Sequence, residues 1–348
     1  MSEAPDFPPF RPFPGLGSGV LMTAAGALPR REPAALAESA VDEVLAGDGE
    51  NRIGVRVHER PEPDAPWMIL AHGLVGDVGS PYVVGTAAKA FARGFHVVRM
   101  NARNCGGTEH LAAESYHGGV TGDLLRLVRH LIDERGATRV CLVGFSLGGN
   151  MVLKLAGELG DDAPAELIAT ASLSPCIDFG AAADRMNASA FGRACQRRFL
   201  RSLRGIVRRR KELFEPALDV RGLDRITTIR EFDDRYTAPM GGFDGVEHYY
   251  AEASGLRVVD RVRVPSLLVA ADDDPLVPTR ILDRPRVREN SALQVLRSPH
   301  GGHVAFLGAA RAVGGAGSSD PDRRWGENRL VQFCVEHARA RGWSGAVW

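Results

Sequence analysis

Short apolar runs alternate with helical patterns along most of the chain. Six runs have the length and composition of strands that are covered on both faces. They lie at residues 67–71, 95–100, 139–143, 167–173, 266–271 and 293–296. Residues 52–60 alternate apolar and polar positions before a proline-rich turn, which predicts a half-buried strand.

Helical patterns separate many of these runs. Ser80 and Pro81 supply an N-cap and a first-turn proline for a helix that ends near Gly94, and the apolar spacing over residues 124–132 predicts another helix. Alternating strands and helices predict an α/β fold with a mostly parallel central sheet and helices on both faces. In such a fold the functional site is expected at the carboxyl ends of the strands.

One long region interrupts this alternation. Residues 178–260 are polar, rich in arginine and contain aromatic residues, and apolar strands resume at Val264. We therefore predict an inserted helical cap over residues 178–261, with the α/β core formed by residues 51–177 and 262–348. Residues 1–50 are predicted to be an N-terminal extension that packs on this core.

Composition narrows the classes of function. Lys and Arg total 43, as do Asp and Glu, so no global charge attracts nucleic acid or an anionic membrane. The first 31 residues do not have the pattern of a secretory signal, and no stretch approaches the ~20 apolar residues of a membrane span. Five scattered cysteines are typical of reduced thiols. We expect a cytoplasmic protein without a transmembrane segment or a nucleic-acid partner.

The clearest chemical motif follows the run at residues 139–143. Gly144-Phe145-Ser146-Leu147-Gly148 leads directly into a helical stretch that continues through Leu159. A strand, a sharp turn and a helix with serine at the apex present the hydroxyl above the sheet, and small residues two positions either side make room for the turn. The pattern predicts a nucleophilic Ser146. The alternative is a glycine-rich turn that only permits close packing.

A serine nucleophile needs a base and an acid. In a fold of this kind they follow the serine along the chain, first the acid and then the base. The run at 266–271 ends in three aspartates at residues 272–274, and the run at 293–296 leads to His300 and His303. Spacing alone does not choose among them. Solvated loop carboxylates and a surface histidine are the ordinary alternatives, and no third ligand with suitable spacing supports a metal site at the two histidines.

The first buried run ends in Ala71-His72-Gly73-Leu74. A turn at this point is expected to place backbone N–H groups near Ser146. The amides of Leu74 and Leu147 would then form an oxyanion hole, which stabilises the negative charge of a tetrahedral intermediate. By itself the motif predicts only a turn.

Taken together, these segments resemble the AB hydrolase-4 family of the α/β-hydrolase superfamily, which contains bacterial YheT-like hydrolases and mammalian phospholipase-like hydrolases. The resemblance runs over nearly the whole chain. Besides the segment 144–150, the matching motifs are His72-Gly73-Leu74, Ser80-Pro81-Tyr82, Cys105-Gly106-Gly107-Thr108, Tyr116-His117, Glu231-Phe232-Asp233-Asp234, Tyr249-Tyr250 and Gly301-Gly302-His303.

This resemblance implies specific roles. Ser146 is the implied nucleophile, Asp274 before Pro275 is the acid, and His303 after the double glycine is the base. The implied activity is serine-dependent hydrolysis of carboxylic esters through an acyl-enzyme, of the carboxylesterase or lipase type, without a metal or an organic cofactor. The residues expected to contact the small acyl ester or lipid substrate are His72, Gly73, Phe145 and Tyr116.

Two segments depart from the family pattern. The family usually has Arg-Gly-Cys-Gly-Gly where this chain has Asn104 in place of the first glycine, and its N-terminal His-x-Gln-Thr is here Val20-Leu21-Met22-Thr23. Both segments are expected to affect the pocket or its entrance. Two other functions remain open: an acyltransferase that passes the acyl group to an alcohol, and a binding protein that retains the fold but has lost catalysis.

A basic segment lies inside the predicted cap. Eight arginines and a lysine fall between residues 193 and 211. The ordinary interpretation is a solvated helix face paired with acidic neighbours. The functional interpretation is that this segment attracts anionic lipid headgroups or a charged acyl donor, with transient contact to a membrane surface.

Overall fold

An eight-stranded sheet forms the centre of the computed structural model, which describes residues 7–309 and 320–345. The strands are β1 (Ala40–Ala46), β2 (Arg52–His58), β3 (Trp67–Ala71), β4 (His96–Met100), β5 (Val140–Phe145), β6 (Leu167–Leu173), β7 (Ser266–Ala271) and β8 (Leu293–Ser298). Their order in the sheet is β1-β2-β4-β3-β5-β6-β7-β8. Strands β3 to β8 are parallel, and β1 and β2 pair antiparallel at one edge, so the sheet is mostly parallel, as predicted.

Twelve α-helices lie in the described ranges: the first two precede the first strand, and the others connect the strands or follow the last one. They are α1 (Gly19–Gly26), α2 (Ala34–Glu38), α3 (Pro81–Ala92), α4 (Gly122–Asp133), α5 (Leu147–Leu159), α6 (Phe179–Ala188), α7 (Ala190–Leu213), α8 (Ile229–Phe232), α9 (Ala238–Met240), α10 (Val246–Ala253), α11 (Pro285–Arg288) and α12 (Trp325–Ala340). Residues Asp233–Thr237 form a π-helical turn between α8 and α9. No helix in the described ranges is long and apolar enough to cross a membrane.

Helices cover both faces of the sheet because the central strands are apolar on both faces. Along β3, Met68 and Leu70 pack in the core that contains α3 and α12. Their neighbours Ile69 and Ala71 pack in a second core with α4 and α5. Side chains of a strand alternate between its two faces, so each strand contributes to both cores. This packing explains why the runs are continuously apolar.

The edge strand β1 was not predicted. Its sequence, AVDEVLA, carries adjacent acidic residues, and its side chains are mostly exposed or half-buried. Val41 and Val44 are both more than half exposed. An edge strand needs a hydrogen-bonded neighbour on one side only and no burial on either face, so it leaves little hydrophobic pattern in the sequence. β1 falls within residues 1–50, so part of that segment belongs to the sheet itself.

Ser80 occupies the position before α3, as predicted, but it does not cap the helix through its side chain. Its hydroxyl instead accepts a hydrogen bond from the backbone N–H of Asp77 at 3.0 Å. Pro81 begins the helix, where the missing N–H costs no hydrogen bond. Ser80 therefore orders the loop that precedes α3.

Residues 178–261 lie between β6 and β7 and contain α6 to α10. Asp178 and Ser189 cap α6 and α7 through their side chains, and Thr228 with Glu231 forms a capping box at α8. An apolar cluster that includes Leu200 and Phe232 packs these helices together. The alternation of strands and helices stops here because the helices of this segment pack largely on one another, in a cluster that Leu276 and Val277 join from outside the segment.

Candidate active site

The backbone turns sharply at Ser146, between β5 and α5. Ser146 has a φ of 52° and a ψ of −113°, a combination that non-glycine residues rarely adopt. Its backbone N–H donates to Leu173 on β6, and its carbonyl accepts from Cys176 and Asn150. Bonds to neighbouring segments thus hold the strained turn in place, and the hydroxyl lies at the carboxyl end of the sheet.

Glycines on either side of Ser146 are required by close backbone contacts. A Cβ atom at Gly144 would lie 2.3 Å from the carbonyl oxygen of Gly148. A Cβ at Gly148 would lie 2.2 Å from the carbonyl oxygen of Ala71 at the end of β3. Any larger residue at either position would push α5 away from β3 and β5. The spacing of glycines in the sequence therefore reflects how closely this helix approaches the sheet.

Ser146, His303 and Asp274 form one continuous hydrogen-bonded chain. His303 Nε2 lies 2.9 Å from Ser146 Oγ, and His303 Nδ1 lies 2.8 Å from Asp274 Oδ2. The histidine side chain is 12% exposed and the aspartate side chain 2% exposed, so water has limited access to both. This arrangement has the geometry in which an imidazole removes a proton from a hydroxyl while a carboxylate orients the ring.

The three neighbouring aspartates have different partners. Asp272 accepts from Thr279 and Arg297 at the surface. Asp274 Oδ1 accepts from the backbone N–H groups of Leu276 and Val277 at 2.8 and 2.9 Å, which leaves Oδ2 for the imidazole. The two backbone donors fix the rotation of the Asp274 carboxylate so that Oδ2 points to the imidazole of His303.

The two histidines also separate. His300 is exposed, and its Nδ1 lies 3.3 Å from Asp273 Oδ2. The other oxygen of Asp273 accepts from the backbone N–H of Gly302 at 2.8 Å. Asp273 thus connects the loop after β7 to the loop that carries His303. It supports the arrangement without contacting the imidazole of His303.

Helix α1 in the N-terminal segment also contacts the loop that carries His303. Thr23 Oγ1 accepts from the backbone N–H of His303 at 2.8 Å and donates to the carbonyl of Gly19 at 2.6 Å. A Cβ at Gly302, whose φ is +58°, would lie 2.6 Å from the Gly19 carbonyl oxygen. Sequence reasoning did not assign a role to Thr23. The available signal was that Thr23 keeps the last residue of the family's N-terminal motif.

The loop after β3 lies against the serine turn. A Cβ at Gly73 would lie 3.2 Å from Ser146 Cβ, so Gly73 contacts the serine closely. Leu74 follows it, and Leu147 is the first residue of α5, where the backbone N–H has no acceptor within the helix. The structure thus brings the segments that carry the Leu74 and Leu147 amides to the same end of the sheet as Ser146.

His72 is buried, and both of its ring nitrogens have backbone partners. Nδ1 lies 2.7 Å from the carbonyl of Gly73, and Nε2 accepts from the N–H of Ala102 at 3.0 Å. Burial lowers the pKa of His72, so the ring is neutral with its proton on Nδ1. In this structure the ring holds the loop after β3, and neither nitrogen is left for a substrate.

Phe145 and Tyr116 lie on different sides of the turn. Phe145 is fully buried in the core on the α3 side. The centroid of its ring lies 4.7 Å from that of Tyr82. Tyr116 packs in a cluster with Leu147 and Phe179, next to the serine turn. Both residues were expected to contact the substrate, and of these two aromatic side chains only Tyr116 packs beside the serine turn.

Asn104 explains one departure from the family pattern. It adopts a φ of +58°, which glycine or asparagine tolerates best. Its amide donates to the carbonyl of Ala112 at 2.9 Å, and its side-chain oxygen accepts from the N–H of Tyr116 at 3.0 Å. Asparagine therefore fits the left-handed position of a glycine and also ties the loop to Tyr116.

Cys176 lies next to the serine turn, and its surroundings disfavour ionisation of the thiol. Its backbone N–H donates to the carbonyl of Ser146 at 3.1 Å. Burial, followed by the charges of Asp178 and Asp274, raises the pKa of the Cys176 thiol far above its ordinary value. The thiol is thus protonated at neutral pH.

In the described residues, no group of three histidine, cysteine or acidic side chains is placed to hold a metal ion.

Comparison with known proteins identifies the family. Residues 66–310 match the family described as alpha/beta hydrolase fold. The chain belongs to the α/β-hydrolase family. It is 30% identical over 278 residues to the candidate esterase YheT of Escherichia coli (strain K12), covering 79% of this chain and 78% of that protein. It is also 26% identical to the phospholipase ABHD3 of Mus musculus, covering 70% of this chain and 58% of that protein.

A solved structure has the same fold. An esterase of Pyrococcus furiosus, Pf2001, superposes with a TM-score of 0.53 over 80% of this chain and 89% of that chain, at 14% sequence identity. The predicted α/β-hydrolase fold and the resemblance to the YheT-like and phospholipase-like hydrolases are therefore confirmed. This chain spans less than two thirds of the mouse phospholipase, although it spans 78% of YheT.

Proposed function

We propose that this α/β hydrolase is a serine esterase that cleaves carboxylic esters through an acyl-enzyme on Ser146. The observation that carries the proposal is the continuous chain from Ser146 Oγ to His303 Nε2 at 2.9 Å and from His303 Nδ1 to Asp274 Oδ2 at 2.8 Å. A hydroxyl becomes nucleophilic when a base within hydrogen-bonding distance removes its proton.

In the proposed mechanism His303 takes the proton from Ser146 as the oxygen attacks the ester carbonyl. Asp274 holds the ring with Nδ1 protonated, so that Nε2 is free to accept. The proton on Nε2 then passes to the departing alcohol. Water attacks the acyl-enzyme with His303 again as the base, which releases the carboxylic acid and restores Ser146.

The amides of Leu74 and Leu147 are the proposed donors to the oxyanion. Leu147 N–H lies at the start of α5, where the helix dipole also favours negative charge. The Gly73 contact with Ser146 supports the placement of Leu74 beside the reacting carbonyl. Removing one such donor typically raises the barrier by ~3 kcal/mol. In this proposal His72 positions the loop through its two backbone partners and does not contact the substrate.

We propose that residues 178–261 act as a cap beside the serine. Phe179 and Ala183 of α6 share an apolar cluster with Leu74, Leu147 and Tyr116. These side chains provide an apolar surface for an acyl chain next to the reacting bond. The names of the two relatives, an esterase and a phospholipase, agree with an ester as the substrate class.

Active-site labelling tests this proposal. A fluorophosphonate probe reacts with an activated serine, so peptide mapping of the labelled wild-type protein should locate the probe on Ser146. Ser146→Ala should lose the label. Ser202→Ala is the matched control, because Ser202 is an exposed serine on α7, and it should label as the wild type does. Unlabelled wild type, or label on Ser146→Ala, would contradict the proposal.

A further inference from the structure

A cavity of about 500 Å³ lies within the segment between β6 and β7, and its walls are strongly basic. Four arginines of α7 line it: Arg193, Arg197, Arg201 and Arg204. They are spaced four, four and three residues apart, which places them on one face of the helix. The rest of the lining is Asn187, Leu200, Asp224, Ile226, Thr227 and Thr228. None of the lining residues takes part in the Ser146–His303–Asp274 chain.

Three arginines of α7 outside the cavity have carboxylate partners, while a fourth, Arg198, is exposed and makes no ion pair in the described residues. Arg208 pairs with Asp224 at 2.6 Å, Arg209 with Glu212 at 3.0 Å and Arg210 with Glu215 at 3.1 Å. The four cavity arginines make no ion pair with any carboxylate in the described part of the chain. Like charges four residues apart on a helix repel one another. The protein therefore keeps an uncompensated cluster of positive charge at the cavity.

The acidic groups beside the cavity are already bound to other partners. Asp224 is held by Arg208. Glu231 Oε2 accepts from the backbone N–H groups of Thr227 and Thr228 at 2.8 and 3.1 Å. Neither carboxylate forms an ion pair with Arg197 or Arg201, although Asp224 itself lines the cavity. The positive charge at the cavity is thus available to an anion from outside the chain.

The cavity is also partly pre-arranged. Arg204 Nη2 donates to the carbonyl of Ile226 at 2.7 Å, and Arg193 Nη1 donates to the carbonyl of Asn187 at 2.9 Å. Arg204 Nε is buried and has no hydrogen-bond partner in the described ranges. The buried side chains of Leu200 and Ile226 form an apolar part of the lining. A buried donor without a partner is costly, but Arg204 Nε has almost no accessible surface, so the groups that can meet an anion in the cavity are the exposed guanidinium groups of Arg197 and Arg201.

We propose that this cavity is an anion-binding site for a phosphate group carried by an organic molecule. Guanidinium groups match phosphate oxygens with paired, charge-assisted hydrogen bonds, and several arginines can share one phosphate. A cavity of this size is large enough for the phosphate together with part of the group it carries. That group is either the remainder of a phospholipid or that of a water-soluble phosphate ester.

The site is connected to the proposed acid through α6. Asn187, whose carbonyl accepts from Arg193, lies two residues from Arg185, and Arg185 Nη2 donates to the carbonyl of Asp274 at 3.1 Å. Phosphate bound at the cavity would therefore contact a helix that also holds the residue orienting His303. The binding site itself does not depend on the proposed esterase activity.

Direct binding measurements test the proposal without an activity assay. Calorimetric titration with inorganic phosphate at constant ionic strength measures binding of a free phosphate group, and the wild-type protein should bind either in this titration or to the phosphate-bearing vesicles described below. The double variant Arg197→Gln/Arg201→Gln should bind at least about tenfold more weakly, because two charge-assisted contacts are lost. Both positions are exposed, so the variant should fold normally. Arg209→Gln, on the same helix but paired with Glu212, is the control and should bind as the wild type does.

A second arm identifies the source of the phosphate. Flotation with phosphatidylcholine vesicles, with and without phosphatidic acid, measures binding to a lipid phosphate. Binding to phosphatidic acid that the double variant loses, without binding to inorganic phosphate, assigns the site to a phospholipid. Binding to inorganic phosphate that the double variant loses, without binding to vesicles, assigns it to a soluble phosphate ester. Equal binding by the wild type and the double variant, or no binding by the wild type in either arm, would overturn the proposal.

Discussion

Thr23 accepts a hydrogen bond from the backbone N–H of His303 across 280 positions of the chain, with an N to Oγ1 distance of 2.8 Å. The same hydroxyl donates to the carbonyl of Gly19, so α1 and the His303 loop are joined through one side chain. Gly302 has no side chain to keep α1 away, and a Cβ there would lie 2.7 Å from Thr23 Oγ1. The N-terminal segment therefore helps to position the imidazole.

Thr23→Val should lower kcat for a short p-nitrophenyl ester by about tenfold and leave KM within about twofold. Valine has the same shape but offers no acceptor to His303 N–H, so the imidazole loses part of its alignment. Thr23→Ser retains the hydroxyl and should restore most of kcat. Measuring kcat and KM of the three proteins checks this. Wild-type kcat in Thr23→Val would mean that the bond has no positioning role.

The choice of Asp274 among three aspartates can be tested with matched substitutions. Asp274→Asn removes the carboxylate that orients His303 and should reduce kcat by about 10⁴, because the imidazole loses its required tautomer. Asp272→Asn alters only a surface contact with Arg297 and Thr279, and its kcat should stay within a few-fold of wild type. Steady-state kinetics with circular dichroism as a check of folding would measure both. Equal losses in the two variants would contradict the assignment.

Asp233 in the π-helical turn should affect stability as the pH changes. Burial raises the pKa of this carboxyl to about 6, against the opposing effect of hydrogen bonds from Thr237 and Tyr250. Between its ordinary pKa and about pH 6 the folded protein retains a proton that the unfolded chain has released. The native state binds more protons in this range, so the contribution of Asp233 to stability falls as the pH rises.

Urea unfolding between about pH 4 and pH 7 measures this effect. The free energy of unfolding of the wild type, relative to that of Asp233→Asn, should decrease over this range and level off above it. Other titrating groups are common to the two proteins and cancel in the difference. Asp133→Asn, at an exposed position near the end of α4, should follow the wild type in parallel. A difference between wild type and Asp233→Asn that is constant or rises with pH would contradict the prediction.

The central strands could be predicted from the sequence because burial on both faces leaves a continuous apolar run. β3, β6 and β7 have the predicted bounds, and β5 extends two residues further, into the turn before Ser146. The edge strand β1 was missed since its side chains are largely solvent-exposed and its charges obscure the alternation. Hydrophobic patterning reports burial, so it identifies central strands more readily than edge strands.

Candidate site residues differed in how far the sequence could determine them. The Ser146 turn was recognisable because close packing against Ala71 requires glycine at a fixed spacing. The choice of His303 over His300 depended on the family resemblance, since both follow the same strand. Thr23 could not be found by spacing, as its contact depends on how α1 packs against a loop near the other end of the chain. Short-range constraints leave a local pattern, whereas contacts between distant segments do not.

The same distinction applies to the basic segment. Its composition suggested either a solvated helix face or a surface that attracts anions. The sequence did not show which arginines have acidic partners and which do not. In the folded chain Arg208, Arg209 and Arg210 have acidic partners, while Arg197 and Arg201 face a cavity. The pairs of Arg209 and Arg210 are local in the chain, whereas the pair of Arg208 with Asp224 and the cavity beside Arg197 and Arg201 depend on how α7 packs in the tertiary structure.

The hydrolysis of p-nitrophenyl esters by Ser146→Ala tests the central claim most directly. The substitution removes only the hydroxyl that His303 would deprotonate, so the variant should fold as the wild type does. Its kcat/KM should fall by several orders of magnitude, while that of Ser202→Ala stays at the wild-type level. A folded Ser146→Ala variant that hydrolyses the ester at the wild-type rate would contradict the account.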